Sequence, residues 1–202
     1  MADYTQSAII TFIAHQALAH PGMLEGSTPY ACAAALSGVI TVRVANVETT
    51  ANATGVGVII QGSFETAGDD AWFDLMEFTG STTAAETEAM TATEAAAETV
   101  LACAATANFL VGDTIYVQDA SVVADGEWHR VTKIVTDTSV TIDYGLAVQK
   151  DASDFLWTEA DIWTAFVDCS GLKRINVLVV HEAATGSNLH VLAEGVFTTD
   201  LE

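Results

Sequence analysis

The chain has 202 residues, half of them hydrophobic, and carries 27 Asp and Glu against 6 Lys and Arg, a net charge of −21. That is enough for one large domain or two small ones with a real core, although alanine supplies much of the apolar fraction and buries little area per residue. No apolar run reaches the length of a membrane span, and a field of this sign repels nucleic acid and anionic membranes, whose binding requires cations that release counterions.

No Lys or Arg lies between Arg43 and Arg130. Such a balance favours solubility and opposes nonspecific self-association; an acidic soluble surface and a charge matched to a particular partner both fit it. Met1-Ala2-Asp3-Tyr4 lacks the basic start of a secretion signal, so a chain made in a cytoplasm without a cleaved signal is expected. Cys32, Cys103 and Cys169 are widely spaced, odd in number and flanked by small or apolar residues, which predicts buried free thiols. No C-x-x-C or H-x-x-x-H spacing suggests zinc.

Ser7 to Ala19 fits strand through Ile9, Ile10, Phe12 and Ile13 and tolerates helix through its alanines; the strands that follow favour strand. His20-Pro21-Gly22 stops it, and residues 22–37 read as a loop. Gly38 to Glu48 is the clearest strand, with Ile40, Val42 and Val44 on a packing face and Val39, Thr41 and Arg43 opposite. Val56 to Phe64 and Trp72 to Phe78 alternate in the same way, separated by an Ala67-Gly68-Asp69-Asp70 turn. These lengths and turns suit an antiparallel sandwich.

Gly80 to Glu98 changes character: Ala/Thr/Glu-rich, without aromatics, its only charges negative. It reads as a linker or a mobile arm, with a short helix over Ala92 to Glu98 allowed by propensity. The next stretch is a small β unit. Thr99 to Cys103, Thr114 to Val117, Trp128 to Val135 and Ser139 to Asp143 are short β-favouring runs separated by Gly112-Asp113, Asp125-Gly126 and Asp137-Thr138. In Trp128 to Val135, strict alternation puts Val131 and Val135 on one face and Trp128 and Ile134 on the other. A unit of this kind closes on itself and can be inserted in a host without disturbing its register. After Gln149 to Ser153 come Phe155-Leu156-Trp157, Ile162 to Val167, Lys173 to Val180 and Leu189 to Thr198, the last two read as a hairpin across Ala183 to Asn188. The outer blocks share one grain, and each alone has too few strands for a two-sheet core. The expected fold is therefore all-β: a sandwich from residues 1–85 and 151–202, with 86–150 forming the acidic linker and an inserted small barrel-like domain.

The pattern Val39-x-Val-x-Val, then Val58-Ile59-Ile60-Gln61-Gly62-Ser63, an acidic Gly turn and Trp72 resembles virion structural proteins of tailed bacteriophages. So does the ending Val167-Asp168-Cys169-Ser170-Gly171-Leu172-Lys173-Arg174, with Thr185-Gly186-Ser187-Asn188 and Phe197-Thr198-Thr199-Asp200. Phe109-x-Val-Gly-Asp and Gly126-Glu127-Trp128 are similar to small β modules inserted into such proteins. The alanine-rich opening and the acidic linker depart from the pattern. The resemblance implies a jelly-roll-like sandwich that decorates or joins a phage head, without enzymatic activity. It also implies the major capsid protein or other virion proteins as partners, and self-assembly with a trimer favoured. Head–tail connector or tail component is the alternative within that class.

Individual residues add little chemistry. Glu65, Asp69, Asp70 and Asp74, and again Asp119, Asp125 and Glu127, gather acids that calcium would accept, but neither spacing is an EF-hand loop, and both read as solvated turns. His181 and His190 flank the expected hairpin, with Glu182 or Glu194 as a third metal ligand; hydrogen-bonded histidines are the plainer reading. His15 and His20 are isolated. For Trp72, Trp128, Trp157 and Trp163, core or subunit-interface packing is the plainer reading, with Trp128 and Trp163 in apolar strands; Trp157, beside an acidic loop, is the best exposed candidate for stacking on a sugar. Lys173-Arg174, the only adjacent basic pair, is a docking point for an acidic neighbour or the polar start of a strand. The candidate interface is thus Trp157, Lys173 and Arg174; no catalytic residue, cofactor or metal site is assigned, since neither a nucleophile elbow nor an oxyanion-hole loop is present.

Overall fold

A computed structural model describes residues 4–19, 22–47, 56–68, 71–80, 85–181 and 188–200. They form sixteen strands, all pairs antiparallel, and one turn of 3-10 helix at Val123–Asp125. The fold is all-β, as the alternation predicts.

Two five-stranded sheets make the sandwich. The first runs from β14 (Ala160–Asp168) to β5 (Ala35–Asn46) to β16 (Leu189–Asp200), whose far edge carries both β1 (Tyr4–Gln6) and β2 (Ile10–Leu18). The second runs from β7 (Trp72–Gly80) to β6 (Val56–Ser63) to β15 (Arg174–His181), whose far edge carries β3 (Gly22–Glu25) and β4 (Tyr30–Ala31). Central strands β15 and β16 come from the end of the chain and bond on both sides to strands from its beginning. Neither block can complete a sheet without the other. The stretch read as a loop, residues 22–37, therefore contributes two short strands and the start of β5, because β15 offers it an open edge.

Ile40, Val42, Val44, Val58, Ile60, Ile175, Val177, Val179, Val191 and Phe197 are buried between the sheets. The period-two pattern of their strands faces them inward, and each is worth about 1.5–3 kcal/mol of burial. Leu189 to Thr198 does not return beside β15: β15 and β16 lie in different sheets, so this connection crosses the sandwich and the hairpin reading is corrected. The turn proposed there falls mostly on residues 182–187, outside the described residues.

The third sheet has six strands in the order β8 (Thr87–Ala89), β13 (Phe155–Trp157), β10 (Thr114–Gln118), β11 (Glu127–Val135), β12 (Ser139–Ile142), β9 (Val100–Ala102). It curls until its two edges meet through a Met90–Cys103 bridge and a Thr91 N–H to Ala102 carbonyl bond of 2.9 Å. Its core is Met90, Leu101, Phe109, Ile115, Val117, Val131, Val140, Ile142, Leu146 and Leu156.

Three readings change here. Phe155 to Trp157, assigned from sequence to the second outer block, pairs with β10 and β8 in this sheet. Ala92 to Glu98 is not helical: Glu94 bridges to Lys150, and Ala97 stands at φ 69°. Strict alternation fails in β11, where Val131 pairs with Ile142 but Lys133 with Thr141, leaving Thr132 as a bulge. The bulge returns Ile134 to the packed side, and the Thr132 hydroxyl donates to the Thr141 carbonyl at 3.2 Å.

Candidate functional site

Where the curled sheet meets the sandwich, β10, β11, β16 and β2 bring four rings together. Tyr116, Trp128 and Trp157 are buried with Ala45 and Ala85, and Leu192 packs against them. Tyr116 Oη lies 2.6 Å from His190 Nδ1 and 3.0 Å from His15 Nε2, and His15 Nδ1 lies 3.2 Å from the Ala124 carbonyl. With both imidazoles neutral, one assignment satisfies all three contacts. His190 Nδ1–H donates to Tyr116, the Tyr116 hydroxyl donates to His15 Nε2, and His15 Nδ1–H donates to Ala124. Burial favours the neutral forms throughout: it raises the Tyr116 hydroxyl, lowers His15, and with the neighbouring His15 pushes His190 down to about 4. Gly126 closes the junction, since a Cβ there would overlap the Tyr116 hydroxyl.

A second polar cluster stands behind the first. Lys150, fully buried, donates from Nζ to Glu127 Oε1 at 3.0 Å and to the Asp125 carbonyl at 2.6 Å. Burial alone would raise Glu127; the nearby His129 ring, the Ala147 N–H and Lys150 outweigh it and hold the carboxyl at about 2. His129 lies between Glu127 (3.4 Å) and Asp143 (3.5 Å) and packs on Tyr144.

Trp157 is buried at 8% exposure and donates from Nε1 to Gln118 at 2.6 Å, so the expectation of an exposed ring is corrected: strand pairing turns it into the junction. Arg174 lies 4.6 Å from the Trp72 ring centroid and donates to the carbonyls of Glu65 (2.8 Å) and Gly68 (2.7 Å), which makes it the clamp of the β6–β7 turn. Lys173 is exposed. Trp128 is core, and Trp163 is half-buried and stacked with Phe78.

His181 and His190 lie in separate sheets and are not joined; the partner of His190 is Tyr116, 74 residues away in sequence. His20, Asp69, Asp70 and Glu182 lie outside the described residues. Asp119 accepts the Ser121 and Val122 N–H groups, while Asp125 lends its carbonyl to Lys150. Among the described residues no group of three or more His, Cys, Asp or Glu is arranged to hold a metal ion, and no helix is long and apolar enough to cross a membrane. The three cysteines are buried and free. Contact between the Cys32 and Cys169 thiols lowers the first and raises the second.

The reading of His15 as isolated is corrected by its bonds to Tyr116 and Ala124, and Tyr116 and Lys150 were not singled out from sequence. One signal was present: a tyrosine in the middle of an apolar strand must find a partner for its hydroxyl.

The junction covers only one end of the outer face of the first sheet. Beyond it, Val196, Val39 and Phe166 lie side by side on β16, β5 and β14. They line two hollows of about 510 and 180 Å³ that share Val39 and Val196. Arg43 and Glu194 are ion-paired at 3.0 Å beside the smaller one. On the curled sheet, Leu110 and Val111 are exposed in a turn completed by Gly112 at φ 102°.

No protein-family model matches the chain, and a search of curated proteins found no match. Among solved structures, a seed lectin of Lotus tetragonolobus aligns over 96% of this chain and 94% of its own, at 10% identity and TM-score 0.27. The VP2 subviral particle of infectious bursal disease virus aligns over 100% of this chain and 43% of its own, at 10% identity and TM-score 0.26. VP17, a capsid protein of bacteriophage P23-77, aligns over 98% and 99%, at 10% identity and TM-score 0.16. Viral capsid proteins are thus among the weak structural neighbours; at these scores the alignments carry no argument about function.

Proposed function

We propose that the chain is a noncatalytic structural component of a virion, laid on the outer surface of a tailed-phage head through protein–protein contacts. The observation that carries this reading is a chain of net charge −21 whose sandwich leaves an exposed, largely apolar floor on one sheet and whose curled sheet carries an exposed Leu110-Val111 turn. Acidic faces keep such a protein off packaged DNA and away from anionic surfaces, while exposed apolar patches with few charges mark contact with other proteins. The sequence resemblance to phage virion proteins points the same way, and at the junction Tyr116 hydrogen-bonds His15 and His190 across the two sheets.

The test is to purify particles from lysates in which the chain is produced and count copies on a quantitative gel. Hundreds of copies per particle, removable without releasing DNA, are expected of a protein on the head surface. A handful of copies would move it to the head–tail connection or tail, and absence from particles would end the virion reading.

A further inference from the structure

The uncovered floor of the first sheet holds both a knob and a hole. Phe166 is 75% exposed, the most exposed large apolar side chain among the described residues. Beside it opens the hollow of about 510 Å³, bordered by Gln6, Ser37, Val39, Val196 and Thr198. Strand register fixes this arrangement: Phe166 on the edge strand β14 stands opposite Val39, and Val39 opposite Val196, in one hydrogen-bonded sheet. The floor is also nearly neutral. Among the residues lining its two hollows the charges are Arg43 and Glu194, paired with each other, and Asp168, in a chain of −21.

We infer that this floor is where a second copy of the same chain docks, face to face about a twofold axis, with Phe166 of each copy entering the larger hollow of the other. Two features select a second copy over other occupants. A twofold contact requires one patch to be complementary to itself, and a knob next to a hole on the same face meets that requirement. Charge supplies the other. Two copies repel across acidic surface, and only a near-neutral patch lets them approach. There the Arg43–Glu194 pair offers each partner a charge of either sign. A basic partner would be drawn instead to the acidic faces.

The open floor spans four strands about 4.8 Å apart over roughly 25 Å, or about 500 Å² per copy. That is less than the ~800 Å² per partner of a standard stable interface, so the dimer forms in a concentration-dependent way. Screening of the −21 charge tightens it as salt is added. This goes beyond the virion reading and does not depend on it; a dimer would stand in place of the trimer that the resemblance favours.

Sedimentation velocity of the purified chain from about 1 to 200 µM, at low and at raised salt, tests the proposal. The parent is expected to pass from monomer to dimer, at lower concentration in higher salt. Phe166→Asp is expected to raise the dissociation constant at least tenfold with unchanged circular dichroism and melting temperature, since the side chain is on the surface. Phe64→Asp, at a 63% exposed position off this floor, should leave association unchanged. A parent monomeric throughout, a trimer, or a dimer indifferent to Phe166→Asp would each overturn the inference. Particle copy number is read separately, so either proposal can fail alone.

Discussion

Tyr116 is fully buried, and its hydroxyl is satisfied only because two imidazoles meet it from β2 and β16. That makes the junction sensitive to acid, with a definite sign. An unfolded histidine takes a proton below about 6.5, whereas His190 in the fold takes one only near 4. Its contribution is therefore complete above about pH 6.5 and is lost progressively as pH falls toward 4, amounting to about 3 kcal/mol. His15 shifts in the same direction, and Asp125 and Lys150 are the charges that face it. The measurement is urea denaturation of the parent and His190→Asn between pH 7 and 4. The variant keeps an N–H near the position of Nδ1 but does not titrate. Its stability deficit should shrink by about 3 kcal/mol over that range, and a constant deficit would show that His190 is not the linked group. Carboxylates elsewhere titrate equally in both proteins and cancel.

Among the elements, the part of the acidic linker over residues 90–98 is tied down by backbone pairing. Residues 90–98 lack hydrophobic periodicity, yet Glu94 and Lys150 exchange two backbone hydrogen bonds of 2.8 and 3.0 Å. The Lys150 side chain then reaches Glu127 at the start of β11 and the carbonyl of Asp125. One cation thus clamps the linker, β11 and the 3-10 turn. Removing it leaves Glu127 part-buried without its counter-charge, the costly way to break such a pair. Lys150→Met should cost about 3–5 kcal/mol in chemical denaturation, with Lys150→Met/Glu127→Gln recovering part of the loss. An equal loss in both variants would assign the role of Lys150 to packing alone. β11 illustrates the opposite limit: its alternation was legible, but a single extra residue at Thr132 reversed the faces beyond it.

In the molecule taken together, the curled sheet enters and leaves the sandwich at one point. Thr87 pairs with Trp157, and the Thr158 N–H donates to the Glu86 carbonyl at 3.1 Å, so the ends of the insertion are side by side. None of the buried residues between the two large sheets comes from 86–158, and those inside the curled sheet all do. Replacing 86–158 by a short Gly/Ser linker is therefore expected to leave a cooperatively unfolding β protein. It should be less stable than the parent because Ala45, His190 and Leu192 lose their cover. Loss of cooperative thermal unfolding in the shortened chain would show that the two bodies fold only together.

The burial pattern was legible in the residues. Alternation at period two in 39–44, 56–60 and 175–179 already dictated which side chains leave water, because a strand has only two faces and one of them was apolar. The turn chemistry likewise marked where those strands end. Pairing was not legible: a β-ladder joins backbone groups that every residue carries, so nothing in Leu189–Asp200 announces that it will lie between β2 and β5 instead of beside β15. The fate of Trp157, the chain from His15 through Tyr116 to His190, and the bareness of the floor around Phe166 were decided by tertiary structure. Each depends on which distant segment arrives to cover a side chain, and for His15 and Tyr116 that separation is 101 residues.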